Sequence, residues 1–152
     1  MKENLEKKIL IVEEDQKRID NLVKSFGSQV EVVYTNRMLV ERGLAPKIYD
    51  NNNEQITVTP ATTEDAIAQV LKQKEYAVIF MDGHLGLRIG GEYFDGGVIS
   101  QRLRDGVYGD INKNTPMFNT SSHYDNPHAK GWMSLAFELD EQRENKIQEY
   151  LK

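Results

Sequence analysis

The chain has 152 residues, 39% apolar and 28% charged, a balance that supplies one packed core and excludes the disordered and collagen-like classes. A formal charge of −5 disfavours a nucleic-acid backbone as the main partner, and the absence of cysteine removes disulfide frameworks, zinc–thiolate sites, iron–sulfur clusters and thiol nucleophiles together. No apolar run approaches the ~18 to 20 residues of a membrane helix, and the opening from Met1 to Lys8 is charged with both signs and lacks an apolar signal core. The expectation is therefore a single cytoplasmic domain spanning residues 1–152.

Lys8-Ile9-Leu10-Ile11-Val12 is a continuous apolar run that stops at Glu13-Glu14-Asp15, the pattern of a strand buried on both faces where it leaves a parallel sheet. Ile19, Leu22, Val23 and Phe26 then recur at helical spacing, with Lys17, Arg18, Asp20 and Lys24 between them and Gly27 placed to end the helix. Residues 30–54 hold the apolar piece Val30 to Tyr34 and the turn-rich Asp50 to Asn53, which read as an insertion carrying an extra strand or helix turn. A second unit is expected from Gln55 to Pro60, followed by a helix whose start at Thr62 and Asp65 resembles a capping box before Ile67, Val70 and Leu71. Tyr76 to Met81 is the third strand, ending at Asp82-Gly83.

Between Gly83 and Gly97 six glycines predict a loop, read as a second insertion at about residues 83–95. Val98, Ile99, Arg102 and Leu103 predict a helix with a narrow apolar stripe, whose Arg102 and Arg104 have a solvated face as their plainest role. Met117 to Asn119 is a short strand introduced by Pro116, and Trp132 to Phe137 is a further strand before a charged helix from Asp140 that carries Ile147 and Leu151. Strands alternating with helices imply a parallel sheet covered on both faces, in which sites form beyond the carboxyl ends of the strands. That rule singles out Glu13-Glu14-Asp15, Asp82-Gly83-His84 and Thr120-Ser121-Ser122. Carboxylates concentrated in this way repel one another unless a cation neutralises them or a proton is taken up, and magnesium is the usual hard cation. The plainer role of the acidic triplet is to start a helix, where negative charge suits the macrodipole.

Four short segments, taken in order, resemble the receiver domain of bacterial two-component response regulators: Ile9 to Asp15, Val78 to Asp82, Asp95 to Arg104, and Pro116 to Ser121. The resemblance implies a flavodoxin-like, doubly wound α/β fold with a five-stranded parallel sheet and no output domain. It implies that Glu13 and Glu14 hold Mg2+ together with Asp82 and the backbone carbonyl of His84. It makes Asp82 the phosphoacceptor, Ser121 the hydroxyl that hydrogen-bonds the phosphoryl group, and Trp132 the aromatic switch residue. The partners it implies are a histidine kinase or phosphotransfer protein and a downstream protein, with no membrane or direct nucleic-acid contact. Such a domain is a signalling module rather than an enzyme.

The chain departs from the family in three ways: Glu-Glu replaces the usual aspartates, the loop after Asp82 is long and lacks a proline, and Leu135 stands where the family has a phosphoryl-binding lysine. Two functions therefore remain open, an atypical phosphoacceptor and a degenerate receiver that binds its partner without phosphorylation. Asp82-Gly83-His84 is also reminiscent of haloacid-dehalogenase-type phosphatases, although His84 stands where their second aspartate would be. His123, Asp125 and His128 have the residue types of a transition-metal site, and equally those of an ordinary polar turn. A triad of Ser121, His123 and Asp125 is too close in sequence to align, and Trp132 has core packing as its plainer role.

Overall fold

A computed structural model describes residues 7–34, 47–50, 63–85, 91, 95–120, 127 and 141–152. The apolar run predicted as the first strand is β1, Ile9–Glu13, buried at every position. Asp15 caps the next helix, α1 (Gln16–Phe26), by accepting the Lys17 N–H, and Gly27 ends it at φ 53°, a backbone that favours glycine. A single turn at Gly27–Gln29 leads into β2, Val30–Tyr34. The remaining elements are β3 (Lys47–Asp50), α2 (Thr63–Gln73), β4 (Val78–Met81), α3 (Asp95–Arg104), β5 (Met117–Asn119) and α4 (Glu141–Tyr150).

The sheet order is β3-β2-β1-β4-β5. β2, β1, β4 and β5 run parallel, while β3 lies antiparallel along β2 at the edge. The fold is thus α/β with four parallel strands, and the fifth strand described is antiparallel rather than parallel. Residues read as an insertion supply two members of this sheet, β2 beside the central strand and β3 outside it. The strands expected at Gln55 to Pro60 and Trp132 to Phe137 lie outside the described residues.

Side chains of successive strand residues point to opposite faces, and two apolar clusters follow that alternation. Ile9 and Ile11 of β1, Val78 and Phe80 of β4 and Phe118 of β5 pack with Ile19, Leu22 and Phe26 of α1 and Ile147 of α4. Phe80 links that layer through ring contacts to Phe26 at 6.1 Å and Phe118 at 5.9 Å. Leu10, Val12, Ile79, Met81 and Met117 face the other way, against Ile67 and Leu71 of α2 and Ile99 and Leu103 of α3. The two arginines of α3 are both engaged: Arg102 pairs with Glu64 of α2, and Arg104 donates to the Lys113 carbonyl at 2.8 Å.

The turn between α3 and β5 is fastened by Asn112, which is fully buried. Its amide nitrogen donates to the carbonyls of Leu71 (2.8 Å) and Lys74 (2.7 Å), and its oxygen accepts from the Tyr76 N–H (2.9 Å) and the Thr115 hydroxyl (3.0 Å). Three of the four hydrogen bonds tie this turn to the end of α2 and the approach of β4, and the fourth, from Thr115, closes the turn itself. An apolar isostere would leave these groups buried and unpaired, at about 1 to 3 kcal/mol each. Asn112→Leu is therefore expected to lower the unfolding free energy by at least ~3 kcal/mol in chemical denaturation, given several such groups.

Candidate functional site

Because the chain crosses from one side of β1 to the other, the crevice beyond the carboxyl ends of β1 and β4 is the topological switch point of the sheet, where such folds place their sites. The register then decides which side chains meet there. Val12 is paired with Met81 and Met81 with Asn119, so Glu13, Asp82 and Thr120 each stand one step further along three adjacent strands. The ladder continues through the Asp82 N–H to the Val12 carbonyl (3.0 Å) and the Thr120 N–H to the Met81 carbonyl (3.2 Å). By the alternation of the strands, these three residues share the face of Ile11, Phe80 and Phe118, which α1 covers.

Glu13 is fully buried, and both its oxygens are occupied. Oε1 accepts from the backbone N–H groups of Glu14 and Asp15, each at 3.2 Å, and Oε2 accepts from the Thr120 hydroxyl at 2.6 Å. Arg18 of α1 places Nη1 3.6 Å from Glu13 Oε1 and 3.7 Å from Asp82 Oδ1, so one guanidinium stands between the two carboxylates. Asp82 is 2% exposed. Its Oδ1 also accepts the His84 N–H at 3.3 Å, whereas Oδ2 is buried with no hydrogen-bond partner among the described residues. Glu14 and His84 form a half-buried pair, His84 Nδ1 lying 3.4 Å from Glu14 Oε1.

Helix α3 closes the site from behind. Asp95, fully buried, accepts the Leu85 N–H at 2.7 Å, and the Gly96 N–H donates to the Gly83 carbonyl at 3.0 Å. A Cβ on Gly96 would come within 1.7 Å of the Asp82 carbonyl oxygen, so the helix can approach the strand end only with glycine there.

The charge is unbalanced. Burial, and then the charge of Asp82, push the Glu13 carboxyl well above the ordinary carboxylate range, despite the Thr120 bond and Arg18. The same two causes raise Glu14, with His84 opposing them.

Of the residues predicted from sequence, Glu13, Glu14, Asp82 and the backbone of His84 come together here, while Ser121, Trp132, Leu135 and the group His123, Asp125 and His128 lie outside the described residues. Among the described residues no three His, Asp or Glu side chains converge as a metal-ligand set, and no helix is long and apolar enough to cross a membrane. Sequence reasoning missed Arg18, and within the Thr120-Ser121-Ser122 segment it gave the hydroxyl role to Ser121 rather than Thr120. Arg18 had a legible signal: the first turn of α1 holds no acidic residue but does hold Lys17 and Arg18, where positive charge opposes the helix dipole. A groove of about 950 Å³ lies at the opposite end of the sheet, lined by Lys7, Lys8, Lys74, Glu75, Asp110 and Pro116 among others, where lysines outnumber carboxylates. No family model, curated protein or solved structure matches the chain.

Two outcomes follow from this geometry. A carboxyl whose affinity for protons is greater in the folded than in the unfolded state stabilises most at low pH, and that stability is lost as pH rises from the ordinary carboxylate range through the raised value. Glu13→Gln should remove this loss, so that melting temperature falls less with rising pH than in the wild type. Gly96→Ala should instead destabilise by about 1 to 3 kcal/mol or more, through overpacking against the Asp82 backbone, measurable by denaturant titration.

Proposed function

We propose that the chain is an atypical receiver domain of the flavodoxin-like, doubly wound class, which accepts a phosphoryl group on Asp82 in a two-component phosphorelay. One observation carries the reading: the two oxygens of the Asp82 carboxylate are unlike, Oδ1 being held by the His84 N–H beside Arg18 while Oδ2 is unpartnered among the described residues. A carboxylate attacks phosphorus only with a free oxygen lone pair and with neighbouring positive charge or N–H donors to offset the charge of the arriving group. The partly exposed Glu14 and His84 make up the rim through which a donor would approach.

The site also suits magnesium, which commonly takes only one or two carboxylates and keeps several waters. Asp82 Oδ2 is open to a ligand bond, Glu14 is half-buried nearby, and the carboxylates of the cluster outnumber Arg18. Glu14, Asp82 and the carbonyl of His84 would hold the ion, and Glu13, whose oxygens are already occupied, would act through its charge. When bound, magnesium offsets the negative charge of the phosphoryl group. On this reading the domain works in the cytoplasm, receives its phosphoryl group from a histidine kinase or a phosphotransfer protein, and passes the signal to a downstream protein.

A second reading, a degenerate receiver that binds its partner without phosphorylation, is favoured by Leu135 at the family's lysine position and by the ion pairs that Arg18 already makes with Glu13 and Asp82. Intact-mass measurement after incubation with acetyl phosphate and magnesium decides between them. The wild type should gain one phosphoryl group and Asp82→Asn none. An unmodified wild type would favour the degenerate receiver, and modification of Asp82→Asn would remove Asp82 from the role.

A further inference from the structure

Two buried atoms of neighbouring side chains lack hydrogen-bond partners among the described residues: a donor, Arg18 Nε, and an acceptor, Asp82 Oδ2. Each such group costs free energy when it is left unmade, and buried polar atoms are seldom left so. The two groups adjoin at the 3.7 Å contact of Arg18 Nη1 with Asp82 Oδ1, yet the orphan atoms do not satisfy one another. A ligand that bonds to Oδ2 and presents acceptor oxygens to the guanidinium would satisfy both.

Helix geometry puts Arg18 in reach of such a ligand. It rises from the first turn of α1, on the face shared by Glu13, Asp82 and Thr120, with Nε 4.0 Å from Oδ2 of the capping Asp15. Its contacts with Glu13 and Asp82, at 3.6 and 3.7 Å, are longer than hydrogen bonds. The guanidinium therefore gives up no close bond by turning its N–H groups toward a new anion. Arginine is also the side chain whose planar fork best matches the oxygens of a phosphoryl group.

We infer that Arg18 is the phosphoryl-binding cation of this site, supplying from α1 the positive charge that Leu135 does not. The inference rests on the phosphoacceptor reading of Asp82. With acetyl phosphate as donor, the lone pair of Asp82 Oδ2 forms the new O–P bond while the bond between phosphorus and the acetate oxygen breaks. Acetate leaves with that electron pair, and no proton or redox partner is required. The Asp82 carboxylate becomes an acyl phosphate of greater negative charge, and Arg18 Nε and its neighbouring N–H groups donate to the phosphoryl oxygens.

The test follows phosphoryl uptake by intact mass over time, with acetyl phosphate and magnesium, in the wild type, Arg18→Gln, Arg18→Met and Arg18→Lys. Arg18→Gln and Arg18→Met should take up the group about tenfold more slowly or worse, and lose it faster once the donor is removed, with Arg18→Lys between them and the wild type. Thermal melting without donor identifies which variants are folded, and the uptake of a folded, uncharged variant decides the matter. Uptake and retention equal to the wild type in such a variant would overturn the role of Arg18 and leave Asp82 as acceptor. A wild type that takes up nothing would overturn the acceptor reading and this inference with it.

Discussion

The structure turns on one conflict, the placing of Glu13 and Asp82 side by side at the ends of two central strands. Neither can move away, because the residues before them are locked into the core: Val12 and Met81 are paired in the sheet and fully buried. Two carboxylates held in this way lose hydration and repel one another, which costs more than their contacts return unless donors and a cation surround them. The elements around the pair supply those donors. The turn into α1 directs two N–H groups at Glu13, β5 ends on a threonine hydroxyl, and α1 sends Arg18 between the pair. The compensation is incomplete, since Glu13 and Glu14 are both pushed toward the protonated form. A fold that retains such a cluster gives up stability at its site.

The rest of the architecture keeps that cluster in place. α3 can sit against the end of β4 only because Gly96 has no side chain, and Asp95 ties the helix to the loop through the Leu85 N–H. At the other end of β4, Asn112 holds the Tyr76 N–H and the last carbonyls around α2. β4 is thus fixed at both ends by polar contacts and in the middle by Phe80, which packs against α1 through Phe26 and against β5 through Phe118. Asp82 has little freedom except through its side chain.

Much of this was legible in the sequence. β1, β4, β5 and α1 announce themselves through continuous apolar runs, helical periodicity and Gly27, and the strand-end rule led directly to Glu13, Glu14 and Asp82. β2 was harder to place because a glutamate interrupts its apolar residues. Glu31 is nonetheless buried, accepting from the Tyr76 hydroxyl at 2.8 Å and from Lys74 at 2.6 Å. Those partners lie more than forty residues away, so no local pattern shows that the charge is satisfied. β3 is antiparallel and four residues long, too short for its alternation to stand out. Thr120 was passed over for Ser121, although strand alternation from Phe118 puts Thr120 on the side of Glu13.

Arg18 also explains how one site can carry two opposed functional readings. A single guanidinium between Glu13 and Asp82 offsets part of their repulsion. It does not cancel the charge, because Glu13 stays pushed toward its protonated form despite Arg18, and Asp82 and the buried Asp95 both raise the proton affinity of Glu14. A site that was fully neutralised would have no electrostatic reason to take up a further positive group, and a site with no internal cation would repel a phosphoryl dianion outright. This chain lies between those limits. Its remaining negative charge favours a metal ion or a proton, while Arg18 lies 3.7 Å from Asp82 Oδ1, beside the Oδ2 that lacks a hydrogen-bond partner among the described residues. On the proposed reading, the choice between phosphoacceptor and constitutive binding module would depend on whether Arg18 exchanges its long contacts with Glu13 and Asp82 for shorter ones to an incoming anion, since the backbone on both sides of Asp82 is held by the sheet and by α3.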